Sequence, residues 1–175
     1  MSTIEIQEQR MARPRGYVSV IAVPVDGGDE IILFEDQQNL VVDQARENMA
    51  KLLANDENAN NERHITKMSW GRGGHDIGDP TQSIPPLPSD TQLADEILST
   101  GKKSVTYDFP DPTTVRFEGI LTATDANGEG ISEIGLWTDD DPNNPGNPLL
   151  FARKTFGLIT KSSAFSFIFR WKILL

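Results

Sequence analysis

The sequence contains few side chains of the types that usually carry out catalysis. It has two histidines, His64 and His75, and no cysteine. The lack of cysteine excludes disulfides, thiolate zinc sites, iron–sulfur clusters and a cysteine nucleophile. The sequence has no His-Glu-x-x-His pattern, no phosphate-binding loop ending in Gly-Lys-Ser/Thr and no nucleophile elbow. We therefore predict a protein that is not an enzyme, with no catalytic residue, no cofactor and no metal ion.

Two short stretches have part of the composition of a ligand-binding loop. Gly71-Arg-Gly-Gly-His75 is rich in glycine, but no Gly-x-Gly-x-x-Gly motif opens a helix there, which disfavours a dinucleotide site. Asp125-Ala-Asn-Gly-Glu129 begins like a calcium loop, but Leu136 occupies the twelfth position, where an acidic ligand is needed. A hairpin turn formed around Asn127 and Gly128 is the favoured interpretation of this second stretch.

Two further groups of residues leave alternatives open. Asp139, Asp140 and Asp141 either hold a cation together with loop carbonyls or form a solvated acidic turn. The three tryptophans either form a platform for a sugar or pack in a core or an interface, and two of them lie in strand patterns, which favours packing. These tryptophans are Trp70, Trp137 and Trp171.

Composition and charge limit the classes of partner. The 175 residues include 16 Lys and Arg against 26 Asp and Glu, which gives a formal net charge of −10. An acidic surface repels phosphate, so binding to nucleic acid or to an anionic membrane is disfavoured. No apolar run approaches the ~18 residues of a membrane span, and the polar N-terminus is unlike a signal peptide. The 14 glycines and 11 prolines favour strands and loops over a helical bundle.

Alternating apolar residues predict a chain made mainly of strands. Residues 17–25 are apolar on both faces, so both faces of this strand should be covered. Pro24 should lie at its end, and a turn at residues 26–29 should lead into a second strand at 30–34. Residues 164–175 form the clearest strand, and its single apolar face should lie at the centre of a sheet packing. That face carries Phe165, Phe167, Phe169, Trp171 and Ile173.

Two helices are predicted beside the strands. Apolar residues at helical spacing predict a long amphipathic helix over residues 38–54. Ser89 and Gln92 have the spacing of a capping box, which predicts a short helix that ends near Gly101. The predicted fold is mainly β (α+β): an antiparallel β-sandwich-like domain with one long amphipathic helix and one short helix.

The chain divides into a flexible N-terminal arm, residues 1–15, and a single β-rich domain, residues 16–175. The arm contains closely spaced arginines and is either a solvated tail or a segment that docks on an acidic neighbouring subunit. Residues 71–88 contain four glycines and four prolines and predict a long irregular loop, of a kind that often forms contact sites. The predicted interface residues are Arg10, Arg13, Arg15, Tyr17, Trp70, Arg72 and His75.

Glu133 is a charged residue inside an otherwise apolar strand, residues 131–137. A lone buried carboxylate is costly, so Glu133 should either pair with a cation or backbone N–H groups, or face water. Arg153 and Lys161 are the candidate cations.

From residue 39 to its end the chain carries a series of short motifs in a fixed order. They are the amphipathic segment 39–53, Met68-Ser-Trp-Gly71, Ser89-Asp-Thr-Gln-Leu-Ala-Asp-Glu-Ile97, Ile131-Ser-Glu-Ile-Gly-Leu-Trp137, Leu150-Phe-Ala-Arg153 and Phe169-Arg-Trp-Lys-Ile-Leu-Leu175. This order resembles a group of small virion proteins of tailed bacteriophages, including the attachment modules of tail-collar fibre proteins. The resemblance covers roughly residues 36–175. The sequence departs from the fibre pattern in its extra N-terminal residues 1–35 and in having no shaft or receptor-binding tip.

The resemblance implies a structural function. The chain would be a tail, collar or baseplate component or adaptor of a tailed phage, located in the virion and made in the host cytoplasm. Its partners would be copies of itself, in a symmetric homo-oligomer, and other tail, neck or baseplate proteins. The alternative is a receptor- or carbohydrate-binding module of a phage tail fibre or of a related contractile injection system. Exposed aromatic residues in a groove would favour that alternative.

Overall fold

The computed structural model describes residues 14–54, 63–140 and 146–174. Within these ranges the chain forms ten strands and one helix, so the prediction of a mainly β protein is confirmed. The elements are β1 (Arg15–Pro24), β2 (Ile31–Gln38), β3 (Leu40–Val41), α1 (Asp43–Ala54), β4 (Ile65–Gly71), β5 (Lys103–Ser104), β6 (Thr106–Asp111), β7 (Thr114–Leu121), β8 (Gly130–Thr138), β9 (Leu150–Thr160) and β10 (Phe165–Leu174).

The strands form two five-stranded antiparallel sheets. Sheet A has the strand order β2-β1-β10-β7-β6, and sheet B has the order β3-β9-β8-β4-β5. The sheets pack face to face around one hydrophobic core that takes residues from both. Across this core, the ring of Trp70 in sheet B lies 5.5 Å from the ring of Phe169 in sheet A, measured between centroids.

The C-terminal strand β10 lies in the middle of sheet A, between β1 and β7. Every second residue of β10 is buried, beginning at Phe167 and ending at Ile173, and Trp171 is completely buried. Alternate residues of a strand point to opposite faces, so this apolar face lies against sheet B. The prediction that the apolar face of the last strand lies at the centre of a sheet packing is confirmed.

β1 and β2 form the predicted hairpin, with Gly27 at a φ of 83° in the connecting turn. β1 ends at Pro24, as predicted, because proline cannot donate a hydrogen bond to a continuing strand pair. Val18 and Val20 are completely buried on the core face of β1. Ser19 and Ile21 on the opposite face are also buried, which confirms that both faces of the middle of this strand are covered.

The long helix predicted over residues 38–54 is wrong in its first five residues. Leu40 and Val41 instead form β3 on the edge of sheet B, and the helix α1 is only twelve residues long. The N–H of Asn39 donates to the carbonyl of Gly16, and the N–H of Val42 donates to that of Phe151. Because these two N–H groups donate to neighbouring strands, the chain is still extended there and the helix begins only at Asp43.

The short helix predicted after Ser89 does not form. The N–H groups of Ala94 and Asp95 donate to the carboxylate of Glu133, and that of Ile97 donates to the carbonyl of Trp70. A helix would need the same N–H groups for its own carbonyls four residues earlier. Tertiary hydrogen bonds therefore replace helical ones in this segment.

The turn at Asn127 and Gly128 forms, with Gly128 at a φ of 82°, but the predicted hairpin is wrong. β7 belongs to sheet A and β8 to sheet B, so the turn connects two sheets instead of two paired strands. Gly128 and Glu129 instead exchange backbone hydrogen bonds with Lys161 after β9. A turn motif defines the local backbone, but it leaves the partner of the following strand open.

Asp125 stabilises this turn. Its carboxylate accepts hydrogen bonds from the N–H and the hydroxyl of Thr122, at 2.7 and 2.6 Å, and pairs with Lys103. Burial opposes the charge, but the hydrogen bonds from Lys103 and Thr122 outweigh it, and the pKa of Asp125 lies below its ordinary value. Such a group stabilises the folded state above its unfolded pKa, and this contribution is lost as the pH falls through the folded pKa.

We expect Asp125→Asn to lower the free energy of unfolding by about 1 kcal/mol at pH 7 and by less as the pH falls below about 4. Urea unfolding of both proteins at pH 7 and pH 3 measures the difference. Asp140→Asn is the control, because the Asp140 carboxylate pairs with Lys67 at a more exposed position and should contribute little at either pH. An Asp125→Asn effect of equal size at both pH values would show that the contribution of Asp125 does not depend on its charge.

Candidate interaction surfaces

Four isoleucines form a continuous row across the outer face of sheet A. They are Ile32, Ile21, Ile168 and Ile120, which lie directly opposite one another on β2, β1, β10 and β7. Val20 and Phe169, their neighbours along the chain, point into the core, so the isoleucines point away from it. Ile32 is 60% exposed and Ile120 is 43% exposed. This isoleucine row is an apolar strip that continues over four strands.

A band of ion pairs lies beside the isoleucine row on the same face. Arg170 binds Glu118 at 3.0 Å, and Lys172 binds Asp36 at 2.9 Å. Partly exposed pairs of this kind contribute at most about 1 kcal/mol each to stability. They place a polar band against an apolar strip, and protein–protein interfaces commonly have an apolar centre and a polar rim.

The two sheets differ in how their outer faces are covered. Residues 72–101 cross the outer face of sheet B, where Leu93 and Ile97 are buried. Gly135 on β8 shows how closely they pack, because a Cβ added there would lie 3.0 Å from the Leu93 side chain. Most of the outer face of sheet B is therefore covered within the subunit, with Leu158 near the end of β9 39% exposed, whereas the outer face of sheet A exposes both ends of the isoleucine row.

Glu133 is the residue that attaches this covering segment to sheet B. Its carboxylate is completely buried and accepts hydrogen bonds from the N–H groups of Gly73, Ala94 and Asp95, at 2.8 to 3.1 Å. It also accepts two hydrogen bonds from the Arg153 guanidinium, at 2.9 and 2.6 Å. The expectation that Glu133 pairs with a cation and with backbone N–H groups is confirmed, and the cation is Arg153.

Arg153 extends this cluster to a second carboxylate. Its Nη1 lies 2.7 Å from Asp90, which also accepts a hydrogen bond from the N–H of Leu87. Burial works against the charge of Arg153, but the hydrogen bond to Asp90 and the charge of Glu133 outweigh it and raise its pKa above the ordinary value. Arg153 therefore stays charged, and it ties two parts of the covering segment to β9.

Close packing against this cluster explains the glycines at 71–74. A Cβ added to Gly73 would lie 2.5 Å from the Cβ of Ala94, and one added to Gly74 would collide with the carbonyl oxygen of Ser132. The glycines are therefore required for contact between the covering segment and β8.

His75 and Ser132 are close enough for a hydrogen bond, but they do not form a nucleophile site. His75 Nδ1 lies 2.9 Å from Ser132 Oγ. The Ser132 hydroxyl donates to the carbonyl of Arg72 and accepts from the N–H of Gly74, and the residue is completely buried. The proton of the Ser132 hydroxyl is bound by a carbonyl, and a substrate cannot reach the buried oxygen. Ser132 therefore anchors the loop and does not act as a nucleophile.

The structure distributes the predicted interface residues over several sites. Arg10 and Arg13 lie outside the described residues. Trp70 is completely buried, so it is a core residue with no surface to offer a partner. Arg72 pairs with Asp95 and Glu129 within the subunit.

Arg15 and Tyr17 lie together at the end of the molecule where the described chain begins. They line an open cleft of about 570 Å³ that Asn39 and Arg46 also line. Tyr17 lines a second cleft as well, of about 390 Å³, next to Lys172. A partner can therefore reach these two predicted residues, in contrast to Trp70.

The tryptophans settle one alternative that the sequence left open. Trp70 and Trp171 are completely buried and Trp137 is nearly so. Trp137 also donates a hydrogen bond from Nε1 to the hydroxyl of Ser69. All three tryptophans pack within the subunit, and none forms a surface platform.

Two exposed aromatic residues lie elsewhere, on the edge strand β6. Tyr107 and Phe109 are 65% and 69% exposed, and their rings meet edge to face with centroids 5.8 Å apart. A shallow depression of about 210 Å³ beside Tyr107 is also lined by Asp108 and Arg116. Their exposure follows from the position of β6 at the edge of the sheet.

The acidic turn remains without an assigned ligand. Asp140 pairs with Lys67 at 3.0 Å, and Asp141 lies outside the described residues. Within the ranges that the structure describes, no group of three or more His, Asp or Glu side chains is arranged to hold a metal ion. In the same ranges, no helix has the length and apolar character needed to cross a membrane.

We compared the chain with protein-family models, curated proteins and solved structures, and none of them matches.

Proposed function

We propose that this chain is a structural protein that assembles through protein–protein interfaces and performs no catalysis. The observation that carries the proposal is the isoleucine row on the outer face of sheet A. The middle of the row is buried at Ile21, whereas Ile32 and Ile120 at its ends are exposed and offer apolar area that a second surface can bury. A second protein surface, either another copy or a partner subunit, supplies that cover.

The size of this face supports the proposal. Five strands spaced ~4.8 Å apart and about eight residues long give a face of about 600 Å². A standard interface buries ~800 Å² on each partner. The face supplies about three-quarters of that area, and a contact from the clefts beside Tyr17 would add to it.

The more specific proposal is a tail, collar or baseplate component of a tailed-phage virion, present as a symmetric homo-oligomer. The resemblance to phage attachment modules supports it, and two of the resembling motifs meet in the structure. Glu133 of Ile131–Trp137 and Arg153 of Leu150–Arg153 form the buried ion pair. These motifs therefore contribute the contact that attaches the covering segment to sheet B, which gives a physical reason for their residue types.

We expect the double variant Ile32→Ser, Ile120→Ser to weaken self-association by about 100-fold or more. Each exposed isoleucine loses part of the ~1.5–3 kcal/mol that full burial provides, and the loss occurs in every copy. Light scattering over a concentration series measures the oligomer. Ile77→Ser is the control, because Ile77 is 95% exposed, lies in the segment 71–88 and is not part of the isoleucine row. A wild-type chain that stays monomeric alone and with neighbouring virion proteins would contradict the proposal.

A second candidate function has one observation in its favour. Tyr107 and Phe109 form an exposed aromatic pair, and Tyr107 also lines a depression together with Asp108 and Arg116. An aromatic face next to hydrogen-bonding side chains is suited to a sugar ring, which favours a receptor- or carbohydrate-binding module. Specific binding on a glycan array, lost in Tyr107→Ala and kept in Ile32→Ser, would establish this function in place of assembly.

A further inference from the structure

We propose that residues 3–7 of one copy pair as an additional strand with the free edge of β2 in a neighbouring copy. The inference rests on the proposed assembly function and names the contact through which copies are linked. Strand addition is a general mode of recognition in which main-chain hydrogen bonds provide affinity and alternate side chains provide specificity.

The first step concerns the four edges of the two sheets. β3 and β5 are two residues long, too short to template a strand. β6 contains Pro110, which has no N–H to donate to a further strand, so this edge is protected against further pairing. β2 is eight residues long, contains no proline and lies at the other edge of sheet A. Among the described strands, β2 is therefore the edge suited to accept a partner.

The second step concerns the side chains on that edge. The isoleucine row ends at Ile32, which is 60% exposed, with Ile31 beside it 48% exposed. An added strand that places an isoleucine opposite Ile32 would continue the row onto a fifth strand. Side chains directly opposite in neighbouring strands have Cβ atoms about 4.5–5.5 Å apart, close enough to cover Ile32.

The third step identifies the occupant. Thr3-Ile-Glu-Ile-Gln7 alternates polar and apolar residues and is rich in β-branched side chains, which is the pattern of a strand with one apolar face. Ile4 and Ile6 would both lie on the face that continues the isoleucine row. Thirteen residues precede Pro14 and span up to about 45 Å when extended, enough to reach an adjacent subunit.

Charge supports the same pairing. Residues 26–36, which form the turn before β2 and most of β2, contain five acidic residues and no basic residue. The segment that follows the proposed strand carries Arg10, Arg13 and Arg15. Glu5 lies within the proposed strand and Glu8 follows it, so the arm is basic only from Arg10 onward. That basic part would lie near the acidic residues of the neighbour, and its contribution to the contact should weaken as salt screens these charges.

The backbone favours a neighbouring copy over the same copy. To lie along its own β2, the arm would have to reverse direction between residue 7 and the start of β1. Residues 4–13 contain no Gly, Pro, Asn or Asp, the residues that usually form tight turns. Pro14 also favours an extended conformation for the residue before it. An arm that continues away from its own subunit fits these constraints.

Cysteine cross-linking tests the proposal directly, because the chain contains no cysteine. An Ile4→Cys or Ile6→Cys protein is mixed with an Ile32→Cys protein that carries a size tag, and the mixture is oxidised. We expect a disulfide-linked dimer of one tagged and one untagged copy, at least tenfold more abundant than with Ile120→Cys, which lies at the other end of the row. Raising the salt to 1 M should reduce the yield, whereas both single-cysteine proteins should remain folded.

The outcomes separate this inference from the proposed function. An oligomer by light scattering with no cross-link between arm and β2 would overturn the inference and leave the assembly function standing. A chain that is monomeric with or without partners, and gives no cross-link, would overturn both. A double-cysteine protein that forms only an internal disulfide at high dilution and in concentrated solution would show pairing within one copy and would also overturn the inference.

Discussion

We expect Arg153→Met to lower the free energy of unfolding by about 3–5 kcal/mol. Removing one partner of a buried ion pair leaves an uncompensated charge, and this costs far more than losing a surface pair. Here the abandoned group is the completely buried carboxylate of Glu133, and Asp90 also loses its cation. Three N–H groups would still bind Glu133, which keeps the expected loss within this range. Urea unfolding at pH 7 measures the difference.

The same substitution at Arg170 is the matched control. Arg170 also forms an ion pair across a sheet, with Glu118, but both side chains are about one-third exposed. Water replaces the lost partner there, so Arg170→Met should cost less than about 1 kcal/mol. Limited proteolysis adds a local readout, because a weakened cluster should expose the covering segment 72–101 to cleavage first in Arg153→Met. Equal losses for both variants would contradict the role assigned to the buried pair.

We expect Phe169→Ala to destabilise the protein by about 3–5 kcal/mol, because it removes a buried aromatic ring and leaves a cavity. Phe169 is 1% exposed in the central strand β10, and its ring packs against Trp70 of the opposite sheet. Deleting residues 165–175 removes the strand that joins β1 to β7 and should abolish folding altogether. Thermal unfolding followed by circular dichroism measures both effects.

Phe109→Ala provides the control with identical chemistry. Phe109 is 69% exposed on the edge strand β6, so its removal opens no cavity and should cost less than about 1 kcal/mol. A Phe169→Ala protein as stable as Phe109→Ala would show that β10 does not hold the two sheets together.

The strands could be predicted because alternation of side chains is a local property of the backbone. The buried residues from Phe167 to Ile173 alternate with residues that are polar except for Ile168, and no knowledge of neighbouring strands is needed to infer one buried face. The partner of Glu133 was predictable in part, because a buried carboxylate needs a cation or N–H groups; the sequence left Arg153, Lys161 and exposure to water open, and the structure shows Arg153. Both inferences use rules that hold in any fold: the alternation of side chains along a strand and the cost of burying an unpaired charge.

The helices were less predictable, because several backbone N–H groups in the predicted helical segments donate hydrogen bonds to acceptors elsewhere in the fold. Residues 93–101 have the pattern of a short helix, but the N–H groups of Ala94 and Asp95 bind Glu133, a residue nearly forty positions further along the chain. Hydrogen bonds to a buried carboxylate are stronger than those between neutral groups, so the tertiary contact replaced the helix. The start of α1 was displaced in the same way by the pairing of β3.

The isoleucine row required the tertiary structure. Its sequence signal was weak: Ile168 and Ile120 each interrupt the polar face of a strand, and alone they look like exceptions to the pattern. Only the pairing register places them beside Ile21 and Ile32, because that register depends on contacts between strands as far apart as residues 21 and 168. The sequence alone determined that this chain is mainly β, with a buried C-terminal strand and a charge that needs a partner. The tertiary structure decided which sheet face is covered within the subunit and which stays exposed, because burial depends on register and long-range packing.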